Sequence, residues 1–136
     1  MAVRRFWWLS GLFLLGGCAS PMDDMLNNRF IEVMPTAAPE TLVGAWTGAM
    51  GPWLATVKLA PDGSGLMCSS FGGQDLLYRL KYAGNAVYVQ DGSRFSMSRN
   101  GGNVIVTTNY FGGGYYPFVA DTALAQASVA CSSKLR

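Results

Sequence analysis

Residues 76–82, LLYRLKY, place Leu76, Tyr78, Leu80 and Tyr82 on one face of an extended chain and Leu77, Arg79 and Lys81 on the other. Successive side chains of a strand point to opposite sides of its sheet, so the first four are predicted to face a core and the last three to face out. Residues 54–60, LATVKLA, follow the same plan, with Ala55, Val57 and Leu59 inward and Thr56 and Lys58 outward. From Thr41 onward, runs rich in valine, tyrosine, phenylalanine and leucine are separated by Pro61-Asp62-Gly63, Gly72-Gly73, Gly84-Asn85, Asp91-Gly92, Asn100-Gly101-Gly102 and Gly112 to Gly114. These residue types tolerate the positive backbone angles of tight hairpins. Short runs at intervals of about 8 to 12 residues predict an all-β fold, a small antiparallel up-and-down barrel or barrel-like sheet of about eight strands. The stretch DTALAQAS, residues 121–128, predicts a short helix near the carboxyl terminus, capped by Asp121.

Upstream of the strands, residues 19–40 read ASPMDDMLNNRFIEVMPTAAPE, with prolines at 21, 35 and 39 and no sustained alternation. That composition predicts a flexible tether, with at most a turn or two of helix around Asp24 to Arg29, because isolated short helices are marginal in water. Further upstream, Arg4 and Arg5 precede the apolar run Phe6 to Leu15 and the small pair Gly16-Gly17. This is the plan of a secretory signal peptide. The run is about half of the roughly 20 residues a membrane-spanning helix requires.

The four residues Leu15-Gly16-Gly17-Cys18 resemble the lipobox of bacterial lipoproteins. The resemblance implies cleavage before Cys18, a diacylglyceryl thioether on its sulfur and an acylated amine. It divides the chain into a signal peptide (1–17), a lipidated amino terminus and tether (18–40) and a β domain (41–136). Ala19 stands where an aspartate would mark retention in the inner membrane, so the resemblance implies a lipid anchor in the outer membrane and a domain on its periplasmic face. The alternative is an ordinary signal peptide in which Cys18 is incidental.

The chain has ten basic and eight acidic residues, and Arg4 and Arg5 leave with the leader, so eight of each remain. A neutral domain offers no electrostatic reason to bind DNA, RNA or an anionic surface. About 119 residues remain after cleavage, enough for one domain with a single core.

The stretch LVGAWTG, residues 42–48, sets Gly44, Trp46 and Gly48 on one face, so the ring of Trp46 can lie flat between two residues without side chains. It resembles the Gly-x-Trp signature of lipocalins and lipocalin-like barrels, which implies that Trp46 closes one end of a barrel. VKLAPDGSGLMCSS (57–70) resembles the second and third strands of small bacterial lipocalin-like domains, and VYVQDGSRFSMS (87–98) and NVIVTTN (103–109) continue the rhythm. The whole is similar to a small family of lipoproteins from Gram-negative bacteria. The alternative is a core tryptophan in an unrelated sheet.

With no histidine, the chain lacks the commonest general base and transition-metal ligand. Beyond the tether, Glu40, Asp62, Asp75, Asp91 and Asp121 sit mostly beside glycine, proline or loop positions and read as turn formers and caps. Ser69 and Ser70 lack a recognisable base motif, and no cysteine spacing suggests zinc. No catalytic residue, metal or cofactor is expected, and the domain is predicted to bind rather than to catalyse.

Binding has one conspicuous candidate, NYFGGGYYPF (109–118), where Tyr110, Phe111, Tyr115, Tyr116 and Phe118 flank three glycines. Aromatic residues with a polar tip favour interfaces, yet they also fill half-buried strands, so the stretch is either a recognition loop or a hairpin whose rings fill the barrel. Trp53, in Met50-Gly51-Pro52-Trp53, either edges a barrel mouth or covers the core. The lipocalin resemblance implies a lipid-tethered, periplasm-facing domain that binds a small apolar ligand in its barrel or mouth, or a protein partner. The alternative is a solid barrel that acts as an inhibitor or structural partner of an envelope protein. Once Cys18 carries lipid, Cys68 and Cys131 remain as an even pair in an oxidising compartment, where a disulfide is expected; two separate buried thiols are the alternative.

Overall fold

A computed structural model describes residues 19–136. Residues 1–18, with the expected signal peptide and the expected lipidation site Cys18, lie outside the described residues, as does the side chain of Phe111. Eight antiparallel strands close into an up-and-down barrel: β1 (Gly44–Met50), β2 (Trp53–Leu59), β3 (Ser64–Phe71), β4 (Gln74–Ala83), β5 (Ala86–Val89), β6 (Arg94–Asn100), β7 (Asn103–Thr108) and β8 (Gly114–Ala120). A short helix α1 (Pro21–Leu26) precedes them and α2 (Val129–Leu135) follows. The class, the strand count and the presence of a carboxyl-terminal helix agree with the sequence. The six connections from β2 to β8 fall on the glycine-bearing turns read above, and the β1–β2 connection falls on Gly51-Pro52; the glycines take the positive φ that hairpins need, as at Gly51, Gly72, Gly84 and Gly101.

The inward rows follow the period of two. Ala55, Val57 and Leu59 of β2, Leu80 and Tyr82 of β4, Val87 and Val89 of β5, and Val104 and Val106 of β7 are all buried in one cluster. Trp46 is only 4% exposed and plugs one end, where its indole Nε1 donates to the Leu42 carbonyl at 2.9 Å. The Arg99 guanidinium lies 5.2 Å from the ring centroid and donates to the Thr41 carbonyl at 3.1 Å, so a cation covers the plug from outside. The two glycines flanking Trp46 serve other ends than the ring of Trp46. A Cβ at Gly48 would come within 2.3 Å of the Phe118 ring, so Gly48 is vacant for Phe118, while a Cβ at Gly44 would meet nothing within 4 Å.

A second, smaller core lies outside the barrel. Ala45 and Cys68 point outward from β1 and β3 and pack against Leu124, Cys131 and Leu135 of the chain end. Cys68 and Cys131 form a disulfide with their alpha carbons 5.5 Å apart and 63 residues apart in sequence. In the entropic model, closing a loop of that length restricts the unfolded chain by about 4 kcal/mol. This covering also explains why Thr56, read as solvent-facing, is 1% exposed: it faces out of the barrel but lies beneath the returning segment.

The expected helix at 121–128 is displaced. The helix begins at Val129, capped by Ser128, whose hydroxyl accepts from the Cys131 amide at 3.1 Å. Asp121 organises the preceding turn instead: its carboxylate accepts from the amides of Gln126 and Ala127 at 3.1 and 3.0 Å. It also accepts the Thr47 hydroxyl proton at 2.8 Å, which leaves Thr56 to donate to Thr47. A buried carboxylate was read as a cap because aspartate serves both uses, and only the tertiary contact with Thr47 decides between them.

The amino-terminal segment, expected as a tether, lies along the barrel. Asn28 donates to the Gln90 carbonyl at 2.9 Å, and the amides of Thr36 and Ala38 donate to the carbonyls of Tyr82 and Pro61 at 2.8 and 3.0 Å. Gly63 exists for this passage, since a Cβ there would strike the Thr36 carbonyl oxygen at 2.0 Å. Proline-rich composition marks an irregular chain, but Phe30, Ala38 and Leu42 supply enough apolar surface to hold it down.

Asp121→Asn should test the outer wall. An amide there cannot accept from all three donors, and each buried donor left unmatched costs about 1 to 3 kcal/mol. Burial pushes the Asp121 carboxyl up, but the hydrogen bonds from Gln126, Thr47, Ala125 and Ala127 outweigh it and hold the group below its usual range. A depressed carboxyl stabilises the fold above its unfolded value of about 4 and loses that contribution as pH falls through the folded value. Urea unfolding should therefore show the variant less stable at neutral pH, with the gap to the wild type narrowing in acid.

Candidate functional site

The barrel is packed at the Trp46 end and open at the other. The inward row of β2 runs from Leu59 to Trp53 and that of β4 from Tyr82 to Tyr78 and Leu76; at their far ends Trp53, Tyr78 and Leu76 line a cup of about 700 Å³ with Met50, Met67 and Tyr116. The floor is Val89 and Phe95. Leu76, read as a core residue, is 38% exposed because its place on β4 brings it to the rim. Trp53 is half-buried there, its ring 5.5 Å from that of Phe71 and tilted by 51°. The lining is mostly carbon, with hydroxyls at Ser69, Tyr78, Ser93, Thr108, Tyr110 and Tyr116 and charged groups confined to Asp91 and Arg94. Burial, followed by the charge of Asp91, raises the Tyr78 phenol, which therefore stays protonated at neutral pH and offers a hydrogen bond from the wall.

Pro21 and Met25 of α1 complete one side of the cup. A polar clasp keeps them there: the Tyr110 hydroxyl donates to Asp24 at 2.6 Å and accepts from the Arg94 amide at 2.9 Å, while the Arg94 guanidinium lies 3.6 Å from the same carboxylate. Burial first, and then the bond to Asp24, push the Tyr110 phenol up to about 12. Ser20 caps α1 by accepting from the Met22 amide at 3.2 Å, which sets the helix at the point where the chain arrives from Cys18.

Of the residues singled out for recognition, Trp53, Tyr110 and Tyr116 meet at this mouth. Tyr115 does not; it points to the opposite side of β8 and is 79% exposed, as the period of two requires of its neighbour. Phe111 lies outside the described residues as far as its side chain goes. Met50, Met67, Leu76 and Tyr78 line the cup as well, and their sequence does not mark them for it. Their inward phase was visible, but whether an inward residue meets packed neighbours or open space depends on how far along the barrel it sits. Among the described residues, no group of three or more His, Cys, Asp or Glu is placed to hold a metal ion.

The family model described as "Bacterial lipocalin LPS transport optimiser YedD" matches residues 27–135. Two solved structures from Streptococcus pneumoniae share the fold, one a provisionally assigned lipoprotein and the other a lipocalin lipoprotein affecting virulence. Each is 14% identical, aligns over 63% of this chain and 99% of its own, and superposes with a TM-score of 0.50. No curated protein matches the chain.

Tyr110→Phe should release the helix from the mouth. The exchange of amide hydrogens in residues 21–26 should quicken while the barrel strands stay protected, with a local cost of about 1 kcal/mol. In an alkaline titration of tyrosine absorbance, the variant should lack the component that ionises at about 12.

Proposed function

The chain belongs to the bacterial lipocalin family described as the LPS transport optimiser YedD, and on that premise we propose that it is a non-enzymatic envelope lipoprotein whose barrel mouth receives an apolar group in the service of lipopolysaccharide transport. The observation that carries this reading is the cup itself. Its volume falls within the range of about 300 to 1,000 Å³ common to small-molecule sites, and its lining is mainly apolar with polar groups spaced among the apolar ones. The packed lower barrel sets the depth, since Val57, Val87, Val104 and Phe118 are wholly buried and leave no channel through to Trp46. A ligand enters end-on and stops. An acyl chain meets that condition by inserting its tip or a bend while the rest stays outside.

The anchor fits the same picture. Cys18, acylated in the manner of the lipobox residue it resembles, precedes Pro21 by three residues, and Pro21 lines the mouth. Three extended residues span about 10 Å, so the lipid leaves the chain close to the open end. In this reading the protein hangs from the outer membrane on its periplasmic side with the mouth turned towards the bilayer. The other reading, a solid barrel that contacts an envelope protein through its surface, is favoured by the filled lower half and by the exposed rings of Phe71 and Tyr115.

Two experiments separate these readings. A fluorescent sixteen-carbon fatty acid should bind the wild type saturably and bind Leu76→Asp at least tenfold more weakly, because the new carboxylate sits on the mouth wall. Tyr115→Ala, on the outer face, should bind as the wild type does. Absence of saturable binding would remove the mouth from consideration, and capture of an envelope protein lost only in Tyr115→Ala would favour the surface. For the anchor, intact mass measurement should find acyl groups on wild-type Cys18 and an unprocessed precursor in Cys18→Ser. A cleaved wild type without added mass would contradict the lipid attachment.

A further inference from the structure

A second cavity lies on the outer wall near the closed end, bounded by the amino-terminal strap on one side and by α2 on the other, with a volume of about 890 Å³. Its apolar surface comes from Ile31, Pro35, Val43 and Leu66. Ile31 is 91% exposed, a large aliphatic side chain left without a partner. Around that surface stand Lys58, Arg79, Lys81, Lys134 and Arg136, and no Asp or Glu side chain lines the groove.

Strand register explains the arrangement. Lys58 of β2, Leu66 of β3 and Arg79 of β4 are successive partners across the sheet, all facing out, so two cations flank one leucine. Lys58 Nζ donates to the Leu135 carbonyl at 2.8 Å. Lys81 Nζ donates to the Phe30 carbonyl at 2.8 Å and lies 4.4 Å from the Phe30 ring centroid. These acceptors are neutral, so they position the ammonium groups without cancelling their charge. Among the described residues the ion pairs are Arg29 with Glu32 and Arg94 with Asp24, and neither involves a cation of the groove. Of the eight basic side chains downstream of residue 17, five are therefore gathered where no Asp or Glu side chain answers them.

We infer that this groove binds a single anionic lipid whose head carries phosphate, with an acyl segment over Ile31, Pro35 and Leu66 and the phosphate among Arg79, Lys134 and Lys58. Arginine engages phosphate through paired donors and lysine as a point charge, and both are stronger beside apolar surface than in open water. Size argues for one amphiphile over a protein segment, because the cavity has the volume of a small-molecule site and its apolar strip is enclosed on two sides. The groove is distinct from the mouth, sharing none of its lining, and its occupancy does not depend on what the mouth binds.

Native mass spectrometry of the full chain, released from neutral detergent, tests this with phosphatidylglycerol as the probe and phosphatidylcholine of the same chains as the control. The expected result is a single-lipid adduct with phosphatidylglycerol at least tenfold tighter than with phosphatidylcholine. The double variant Arg79→Gln/Lys134→Gln should weaken it at least tenfold. Ile31→Glu, which alters a fully exposed side chain and leaves packing intact, should weaken it as well. The mouth variant Leu76→Asp should lose the fatty-acid probe yet keep this adduct, so failure at one site is not read as failure at the other. Equal affinity for the two lipids, insensitivity to both groove variants, full displacement by inorganic phosphate, or preference for a polyglutamate peptide would each overturn the proposal.

Discussion

Closing eight antiparallel strands into a barrel leaves an interior only wide enough for side chains, and the size of the inward residues decides where that interior is solid. Here the bulk is concentrated at one end. Trp46 closes the barrel end, Phe118 occupies the space that Gly48 leaves vacant, and Leu59, Leu80, Tyr82, Phe95, Met97 and the valines of β2, β5 and β7 pack with them. The strands run on beyond this packed region, and the side chains there, Met50, Met67, Tyr78 and Tyr116, are only partly buried against it. The cup at the mouth is thus a consequence of filling the other end. A smaller residue at 46 or 118 would move the boundary between core and cavity and not merely weaken the fold.

The barrel wall carries its own loads. On one side the chain end returns over β1 and β3, fixed by the Cys68–Cys131 disulfide and by Asp121, whose hydrogen bonds reach both the turn and the strand. On another the amino-terminal strap runs from the mouth to the closed end, held at Asn28, Thr36 and Ala38. The two returning segments leave between them the basic groove, so the same coverings that protect the outer face of the sheet also shape a second concave surface. The strap links the ends of the molecule: its first helix touches the mouth and its last residues touch the plug.

The architecture was legible in the sequence because it rests on local rules. Strand phase, hairpin glycines and the inward set at 55, 57, 59, 80 and 82 follow from a period of two and from positive φ, and those need no tertiary knowledge. What escaped was decided by long-range contact. Thr56 is outward by phase yet buried, because residues seventy positions later cover it. Asp121 has the chemistry of a helix cap but meets Thr47, and the helix starts eight residues later. The sequence leaves Tyr110 as either a recognition residue or a ring that fills the barrel, while its role depends on Asp24 arriving from the other end of the chain. At the candidate site, Trp53 and Tyr116 were identified and the aliphatic lining was not, since leucine and methionine look the same in a core as in a cup.

The central claim is that apolar matter enters at the mouth and stops above the plug. Trp46 and Trp53 are the two tryptophans downstream of residue 17, one at each end of the barrel, so they report on depth. Quenching of tryptophan fluorescence by a fatty acid brominated near its methyl end reads this directly. The account predicts strong quenching in the wild type that disappears in Trp53→Phe, where only the emission of Trp46 remains. Quenching retained in full by Trp53→Phe would place the acyl chain at the closed end or on the outer wall and contradict it.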